Sequence, residues 1–344
     1  MAAGRRVVVV GAGVAGLTTA VVLAEAGVSV HVIAEEIPGV TSLAAGAMWG
    51  PYLVEPKDKV DQWGQRSLRI FRRLAEDPAT GVRLTSGIEA SRTAEAPPAW
   101  ATALPGFRPC GLAELPVGFS AGYRFTVPLI DMPTYLNYLL HRLDAAGGTV
   151  ERRRLASLSD VGPATVIVNC TGLGAKDLLP DPDLRPIRGQ HVVVTNPGLT
   201  EFFSEDTGLS PDLLCFYPHG DTVVLGGTAI DGEGGLASDD TAAASILARC
   251  AEVDPVSPQP AFWSIGSVPG PPGLRSGWAL TDRRTAPWSC TTMGTEALAS
   301  RCHGVVPGKL MSCSQASKAK LPGPKSESLP SDTPNRAAIG ARSF

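Results

Sequence analysis

The sequence of 344 residues lacks the signatures of several large protein classes. Its seven cysteines form no CxxC motif and no metal-ligand pattern, which argues against a disulfide framework and a zinc site. Positive charge is not in excess, since 30 basic and 33 acidic side chains give a formal charge of −3. Neither nucleic acid nor an anionic membrane surface is therefore an expected partner. The thiols are expected to be reduced, as in a cytoplasmic protein.

Charge and composition are unevenly distributed along the chain. Residues 262–344 hold 10 basic and 4 acidic side chains, nine prolines and no tyrosine, whereas residues 1–261 hold 20 basic and 29 acidic ones. A hydrophobic share of 44% excludes global disorder, and the length suits two domains or one large α/β unit with an inserted lobe. The basic, proline-rich end is thus unlike the rest of the chain.

Residues 7–27 are almost free of charge and follow two arginines, a pattern that a transmembrane helix or a secretory signal also shows. The stretch, however, divides into a β-branched run at 7–10 and an Ala/Leu/Thr run at 17–26, separated by glycines. A second β-rich run follows at 28–33, and no A-x-A cleavage site is evident. The pattern predicts strand, glycine turn, helix and strand, the βαβ unit of a doubly wound parallel sheet.

The glycines of this turn have the GxGxxG spacing of dinucleotide-binding proteins. Gly11 makes the tight turn, Gly13 allows a pyrophosphate to approach the helix N-terminus, and Gly16 lets the helix pack against the strand. Glu35, nineteen residues after Gly16, ends the second strand and can accept hydrogen bonds from the ribose of an adenine dinucleotide. Whether Glu35 or Glu36 takes this role is open, and the motif alone does not separate NAD from FAD.

Further motifs follow in a fixed order. They are SLAAGAMWGPYL at 42–53, VIVNCTGLGA at 166–175, RPIRGQ at 185–190 and VVLGGT at 223–228. Together with GAGVAGL at 11–17, this series resembles the D-amino-acid oxidase family, which includes D-aspartate oxidase. The resemblance extends from residue 6 to about residue 255, and the AAG-x-x-W-x-PY stretch combined with NCTG and GxGxxG is its most specific part.

The resemblance implies the fold and its boundaries. An α/β protein is expected, in which a Rossmann-type FAD-binding domain is interleaved with a substrate lobe built on a mostly antiparallel sheet, followed by a disordered or non-native C-terminal tail. The expected boundaries are 1–50 and 146–190 for the FAD-binding domain, 51–145 and 191–255 for the substrate lobe, and 256–344 for the tail.

The resemblance also implies a set of residues that bind FAD. Without it, core packing would explain most of these positions, Leu155 and Met48 above all. The expected contacts are Gly11, Gly13, Val14, Ala15 and Gly16 by the pyrophosphate, Glu35 or Glu36 by the adenosine ribose, Thr41 and Ser42 near phosphate, Ala45, Gly46 and Met48 along the isoalloxazine, the Leu155 backbone, in a strand expected at 150–155, at adenine, and Thr171 and Gly172 of the NCTG turn.

The sequence departs from the family pattern at two places. An acidic residue at the end of the second strand is often followed by arginine, but here Glu36 follows Glu35. A substrate-binding tyrosine usually stands three residues before the proline of the turn at 218–220, and here that position is Cys215. Because Cys215 and Tyr217 share a face in an alternating strand, Tyr217 can substitute, and a purely structural Tyr217 is the alternative.

The activity that the resemblance implies is oxidative deamination. A D-amino acid transfers a hydride from Cα to flavin N5, the imine hydrolyses to a 2-oxo acid and ammonia, and oxygen regenerates the flavin with release of hydrogen peroxide. No side chain needs to act as a base, so no catalytic residue is named. His191 and His219 are expected to be structural, and Trp49, Tyr52 and Phe216 to shape an apolar pocket or pack in the core.

The expected partners follow from this chemistry. They are D-amino acids and molecular oxygen, with no nucleic acid, membrane or metal. A homodimer is one of the oligomeric states that the sequence leaves open.

Residues 262–344 lack the two strings with which the family ends, RVGxRPxRPxVRLE and VHNYGHGGxGxTLSWGCA. In the family, this C-terminal part carries an arginine for the substrate carboxylate and a glycine-rich turn at the flavin. Read from the third base of each codon, however, back-translation of 289–296 permits VHNYGHGG, and 297–309 permits PGITLSWGCAREV. We therefore interpret the tail as out of frame after one frameshift at about 254–262, either a gene lesion or a sequencing error. As written, it is expected to be largely disordered.

Three other functions are alternatives to this interpretation. A D-aspartate oxidase would need extra cationic groups around the side-chain pocket, which the sequence does not place. A non-catalytic remnant of such an enzyme would either bind FAD without turnover or bind no cofactor at all. An NAD-dependent dehydrogenase is disfavoured by the AAGAMWGPY stretch.

Overall fold

The structure is a computed structural model that describes residues 6–51, 57–93, 96–179, 184–205, 214–253, 277–282, 303–306 and 309–312. Two sheets carry the fold, and helices pack on them. The helices are α1 (Val14–Glu25), α2 (Val40–Leu43), α3 (Lys57–Leu74), α4 (Ala99–Thr102), α5 (Met132–Ala145), α6 (Ala175–Leu178) and α7 (Asp240–Glu252). The strands are β1 (Arg6–Val10), β2 (Ser29–Ala34), β3 (Val82–Ser91), β4 (Arg108–Pro109), β5 (Ala121–Ile130), β6 (Thr149–Arg152), β7 (Val166–Asn169), β8 (Pro186–Thr195), β9 (Phe202–Glu205), β10 (Cys215–His219), β11 (Thr222–Gly226), β12 (Ile230–Asp231), β13 (Gly277–Asp282), β14 (His303–Val306) and β15 (Lys309–Ser312).

The first sheet has the order β15-β14-β7-β1-β2-β6, and β7, β1, β2 and β6 run parallel. Its central strand β1 is buried on both faces. Val7 and Val9 pack in the main core with α1 and α5, whereas Val8 and Val10 pack in a separate cluster with Ile33. Burial on both sides explains why β1 is a continuous valine run rather than an alternating one.

The second sheet has the order β12-β8-β11-β10-β9-β3-β5-β4, with β13 paired on β8. Its described pairs are antiparallel except β3 with β9. One face packs in the main core through Phe125 and Phe202, and the other packs under α7 through Phe203 and Phe216. The expected fold class is confirmed, because a Rossmann-type parallel sheet is interleaved along the chain with a mostly antiparallel lobe.

Local patterns predicted the first βαβ unit well, and the strand expected at 150–155 less well. That strand, β6, ends at Arg152 because its partner β2 ends at Ala34. Leu155 therefore follows the strand and packs, half-buried, against the cluster of Val8 and Val10.

The C-terminal part contains three described strands, although the sequence predicts that it is largely disordered. β13 pairs antiparallel with β8, and β14 pairs antiparallel with β7. Edge strands offer unpaired N–H and C=O groups, and an extended segment can satisfy them whatever its side chains. The prediction for the other residues of 256–344 lies outside the described residues.

Candidate functional site

The glycine turn after β1 has no room for side chains at two of its glycines. Gly11 has φ +108°, and a Cβ there would lie 2.4 Å from the Cys170 carbonyl oxygen. A Cβ on Gly16 would lie 1.8 Å from the Gly11 carbonyl oxygen, so α1 packs this closely on the end of β1 only with glycine. α1 begins at Val14, directly after Gly13. The structure therefore places the GxGxxG motif between strand and helix, as predicted.

The short helix α2 covers the N-terminus of α1. Ser42 Oγ accepts a hydrogen bond from the Val14 N–H at 2.9 Å, and a Cβ on Gly13 would lie 3.0 Å from the same oxygen. Thr41 precedes Ser42 in α2 and is half-buried, as is Ala15 in the first turn of α1. The predicted phosphate contacts are thus grouped where a helix dipole favours an anion.

Both carboxylates after β2 are paired with arginines from the end of β6 and the segment after it. Glu36 forms an ion pair with Arg152, and Glu35 lies 3.6 Å from Arg154. The family's usual arginine after the acidic residue is absent, and arginines distant in sequence take its place beside the carboxylates. The Glu35 side chain is 59% exposed, so a ribose can reach it.

Thr171 and Gly172 follow β7. Asn169 Oδ1 accepts hydrogen bonds from the Thr171 N–H at 3.2 Å and from Thr171 Oγ1 at 2.6 Å. Because β7, β1 and β2 are parallel, their carboxyl ends bring Thr171, Gly11 and Glu35 to one edge of the sheet. This edge is where open α/β sheets bind nucleotides.

Residues 45–49 lead from this edge to the second sheet. The Trp49 N–H donates to the Pro128 carbonyl of β5 at 2.9 Å, and a Cβ on Gly46 would lie 2.6 Å from Val224 Cγ1 of β11. The segment therefore lies against the face of the second sheet that carries Val224. Its other two predicted flavin contacts are the half-buried Ala45 and the buried Met48.

Tyr217 and Cys215 occupy the same face of β10. Cys215 pairs with Ser204 of β9, and the Tyr217 hydroxyl lies 3.4 Å from Ser204 Oγ. Tyr217 pairs with Val224, which a Gly46 Cβ would touch, so Tyr217 lies one strand from the 45–49 segment. Burial raises the pKa of the Tyr217 phenol well above its usual value and that of the Cys215 thiol to about 12. Both groups are therefore protonated near neutral pH.

A buried carboxylate on this face was missed by the sequence reasoning. Glu89 of β3 is 5% exposed, and it accepts a hydrogen bond from the Tyr123 hydroxyl. It pairs in register with Tyr123 of β5 and Ser204 of β9, so the three side chains point to one side of the sheet. Only the alternation within β3 hinted at its direction, because its partners are far away in sequence.

Other candidates take structural positions. Phe216 is 1% exposed and packs on the opposite face of the sheet, under α7, so it belongs to the core rather than to a pocket beside Tyr217. Burial lowers the pKa of His191 and of His219 to about 4, so both rings are neutral near pH 7. Tyr52 lies outside the described residues.

The arrangement fits a dinucleotide such as FAD. Gly13, directly before α1, has no side chain, and no Cβ can be accommodated at Gly11 or Gly16. A partly exposed carboxylate stands at the end of β2, at the distance along the chain that a ribose contact requires. In the described part of the chain, no group of three or more acidic, histidine or cysteine side chains is placed to hold a metal ion. None of the described helices combines the length and the apolarity that crossing a membrane would require.

Comparisons with known proteins agree with this geometry. The sequence profile of the family described as FAD dependent oxidoreductase (DAO) matches residues 6–282. The chain belongs to this family, and FAD is its cofactor. It is 46% identical over 253 residues to a D-amino-acid oxidase of Rubrobacter xylanophilus, covering 73% of this chain and 77% of the relative. It is 44% identical over 252 residues to a D-amino-acid oxidase of Streptomyces coelicolor, covering 72% and 78%.

Two more distant similarities were found. The human D-aspartate oxidase is 35% identical over 263 residues, covering 73% of this chain and 76% of that protein. Among solved structures, the glycine oxidase of Geobacillus kaustophilus superposes with a TM-score of 0.63 at 16% identity, covering 81% of this chain and 83% of the other. At that identity, the similarity supports the fold alone.

Proposed function

We propose that this protein is built for the FAD-dependent oxidative deamination of D-amino acids. The substrate, oxygen and water would be converted to a 2-oxo acid, ammonia and hydrogen peroxide. The observation that carries the proposal is the contact of residues 45–49 with β11, which brings the segment expected to line the flavin within one strand of Tyr217. The names of the two bacterial relatives support the substrate class.

The chain's own residues would have separate tasks. Bound FAD supplies the two-electron acceptor that no side chain can provide. The glycine turn and Ser42 would hold the phosphates, Glu35 or Glu36 the ribose, and residues 45–49 would fix the ring against the substrate-lobe sheet. Tyr217, whose phenol stays protonated, would donate a hydrogen bond that orients the substrate.

We also propose that the reading frame is broken at about residues 254–262. About a quarter of this chain and of each bacterial relative lies outside their alignments, a share that one out-of-frame C-terminal segment would produce. The family profile itself continues to residue 282, past the proposed junction. Loss of the C-terminal arginine and glycine-rich turn predicts poor FAD retention and little turnover in the chain as written, which would make it a non-catalytic remnant.

Sequencing the DNA across these codons tests the break. An uninterrupted frame that encodes 289–309 as written contradicts a sequencing error. Purified protein of this length with normal peroxide production contradicts the loss of activity.

The activity itself is tested by a flavin absorption spectrum and a peroxide-coupled assay. A visible flavin spectrum separates FAD from NAD, and rates with D-alanine, D-aspartate and glycine separate the possible oxidases. Preference for D-aspartate would support the second candidate, D-aspartate oxidase, which the 35% identity to the human protein suggests. A cytoplasmic location and a homodimer are part of the proposal, to be checked by fractionation and sedimentation.

A further inference from the structure

Gly39, which lies outside the GxGxxG motif, packs directly on the glycine turn. A Cβ on Gly39 would lie 2.9 Å from the Gly13 nitrogen and 3.0 Å from the Gly13 Cα. The backbone of Gly39 has φ −66° and ψ 131°, a conformation that any residue adopts. The position therefore requires glycine because the two backbones approach so closely, and not because of its dihedral angles.

Two backbone hydrogen bonds join Gly39 to the glycine turn and to α2. Its N–H donates to the Ala12 carbonyl at 2.9 Å, and its carbonyl accepts from the Leu43 N–H at 3.0 Å. Gly39 directly precedes α2, and this helix has only four residues, so it offers little room to absorb a displacement at Gly39. The contact of Gly39 with the turn thus sets the distance between α2 and the start of α1.

The hydroxyl of Ser42 depends on that distance. Ser42 Oγ accepts from the Val14 N–H at 2.9 Å, and a hydroxyl that accepts a hydrogen bond still has a proton to donate. Because hydrogen bonds in a chain polarise one another, acceptance from a helix N–H strengthens this donor. The helix dipole favours an anion in front of α1, so the Ser42 proton is suited to a phosphate oxygen.

We propose that Gly39 is a positioning residue for the cofactor, because its lack of a side chain holds α2 against the glycine turn and places the Ser42 hydroxyl at the FAD pyrophosphate. Gly39 acts through Ser42. This inference rests on the proposed role of the glycine turn and Ser42 as phosphate contacts. It extends that role to a residue outside the GxGxxG spacing.

The displacement expected in Gly39→Ala is small, but it affects a hydrogen bond with little tolerance. Moving the new Cβ from 2.9 Å to an ordinary contact of about 3.4 Å shifts Gly39 and α2 by about 0.5 Å. The same shift along the hydrogen bond from Val14 to Ser42 would lengthen it from 2.9 Å to about 3.4 Å, beyond the usual range. We expect FAD affinity to fall about tenfold, as for one lost hydrogen bond to a charged group.

Gly111→Ala is the matched control. Gly111 also directly precedes a short helix, the 3-10 helix Leu112–Glu114, and its backbone has φ −72° and ψ 154°. A Cβ on Gly111 would lie 3.9 Å from its nearest neighbour, Glu114 Oε2, which is an ordinary contact. The control makes the same chemical change without a clash, so FAD affinity should stay at the parent value.

A double-mutant cycle tests whether Gly39 acts through Ser42. FAD is titrated into the apoprotein of the full chain, and of the same gene with its frame restored, and flavin fluorescence gives the affinity in each protein that binds it. Gly39→Ala and Ser42→Ala should each weaken binding about tenfold, and the double variant also about tenfold rather than about 100-fold. Phosphorus NMR of bound FAD should show changed pyrophosphate signals in Gly39→Ala and unchanged signals in Gly111→Ala.

The outcomes are distinct. Unchanged FAD affinity in Ser42→Ala overturns the inference, whether or not Gly39→Ala folds. A loss of about 100-fold in the double variant also overturns it, since the two residues would then act independently. Equal losses in Gly39→Ala and Gly111→Ala do the same. Failure of FAD to bind both the parent chain and the frame-restored protein overturns the proposed function together with this inference.

Discussion

Replacing Gly16 with alanine tests whether close packing of α1 on the glycine turn creates the cofactor site. The new Cβ would lie 1.8 Å from the Gly11 carbonyl oxygen, and carbon and oxygen atoms that are not bonded do not approach within 3.0 Å. Because the obstructing atom belongs to the backbone, a side-chain rotation cannot relieve the clash. The start of α1 must move away by more than an ångström or the turn must change shape.

Two opposing contributions determine how much Gly16→Ala lowers the free energy of unfolding. Overpacking of this kind costs about 1–3 kcal/mol or more, and a severe backbone clash belongs at the upper end. Alanine regains up to about 1 kcal/mol relative to glycine through its higher helix propensity. We expect a net loss of about 2 kcal/mol and a fall in Tm of about 4–8 °C. FAD affinity should fall by more than tenfold if most of this free energy is lost from binding, because about 1.4 kcal/mol of binding free energy corresponds to a factor of ten in affinity.

Gly64→Ala is the matched control for this prediction. Gly64 is also helical, in α3, but a Cβ there would lie 3.6 Å from Trp49 Cζ2, an ordinary contact. It should therefore stabilise the protein by up to about 1 kcal/mol. Thermal unfolding followed by circular dichroism gives the Tm values, and fluorescence titration gives the FAD affinity. The reasoning is refuted if Gly16→Ala keeps the parent Tm and FAD affinity, or if both variants lose stability equally.

Three further predictions concern half-buried and buried groups. Ser42→Ala should lower the free energy of unfolding by about 1 kcal/mol, because the Val14 N–H at the start of α1 loses its acceptor. Denaturant unfolding measures this change. An unchanged free energy of unfolding would show that water replaces the hydroxyl. Burial raises the pKa of the Cys215 and Cys250 thiols, so iodoacetamide should leave both unmodified in the folded protein and alkylate both after unfolding, as mass spectrometry will show. His191 and His219 have pKa values lowered from 6.5 to about 4, so the unfolded chain binds more protons in that range. The stability that the neutral rings contribute should be complete above pH 6.5 and should fall as the pH approaches 4. Replacing both histidines with asparagine should make the free energy of unfolding depend less steeply on pH in this range. An equally steep loss of stability in the double variant would assign the pH dependence to other groups.

The parts of the fold that local sequence dictates were predicted closely. The run at 7–10 and the run at 28–33 correspond to β1 and β2, because β-branched residues between glycines leave little alternative to a buried strand. The glycine spacing also fixed the start of α1 to within three residues, since the helix begins where the turn ends.

The candidate site was only partly predictable for the same physical reason. Shared faces within one strand, such as that of Cys215 and Tyr217, follow from alternation. Glu89 was missed because its neighbours depend on the parallel register between β3 and β9, in which paired residues such as Glu89 and Ser204 are 115 positions apart in sequence. The contact of Ser42 with Val14 likewise depends on how the chain returns to the helix N-terminus, which no local pattern encodes.

The order of the site residues along the chain explains why a late frameshift would affect cofactor and substrate differently. The residues proposed to hold the phosphates, the ribose and the adenine lie before position 173, in turns and helices beside strands whose parallel pairing involves only β1, β2, β6 and β7. A changed sequence after about residue 254 leaves those hydrogen bonds and the glycine turn intact. The substrate site would be affected directly, because the arginine that the resemblance implies for the substrate carboxylate comes from the chain after about residue 254. The frameshift would thus spare the pyrophosphate site, but it would remove the glycine-rich turn expected at the flavin, which weakens FAD retention, and the arginine expected at the substrate.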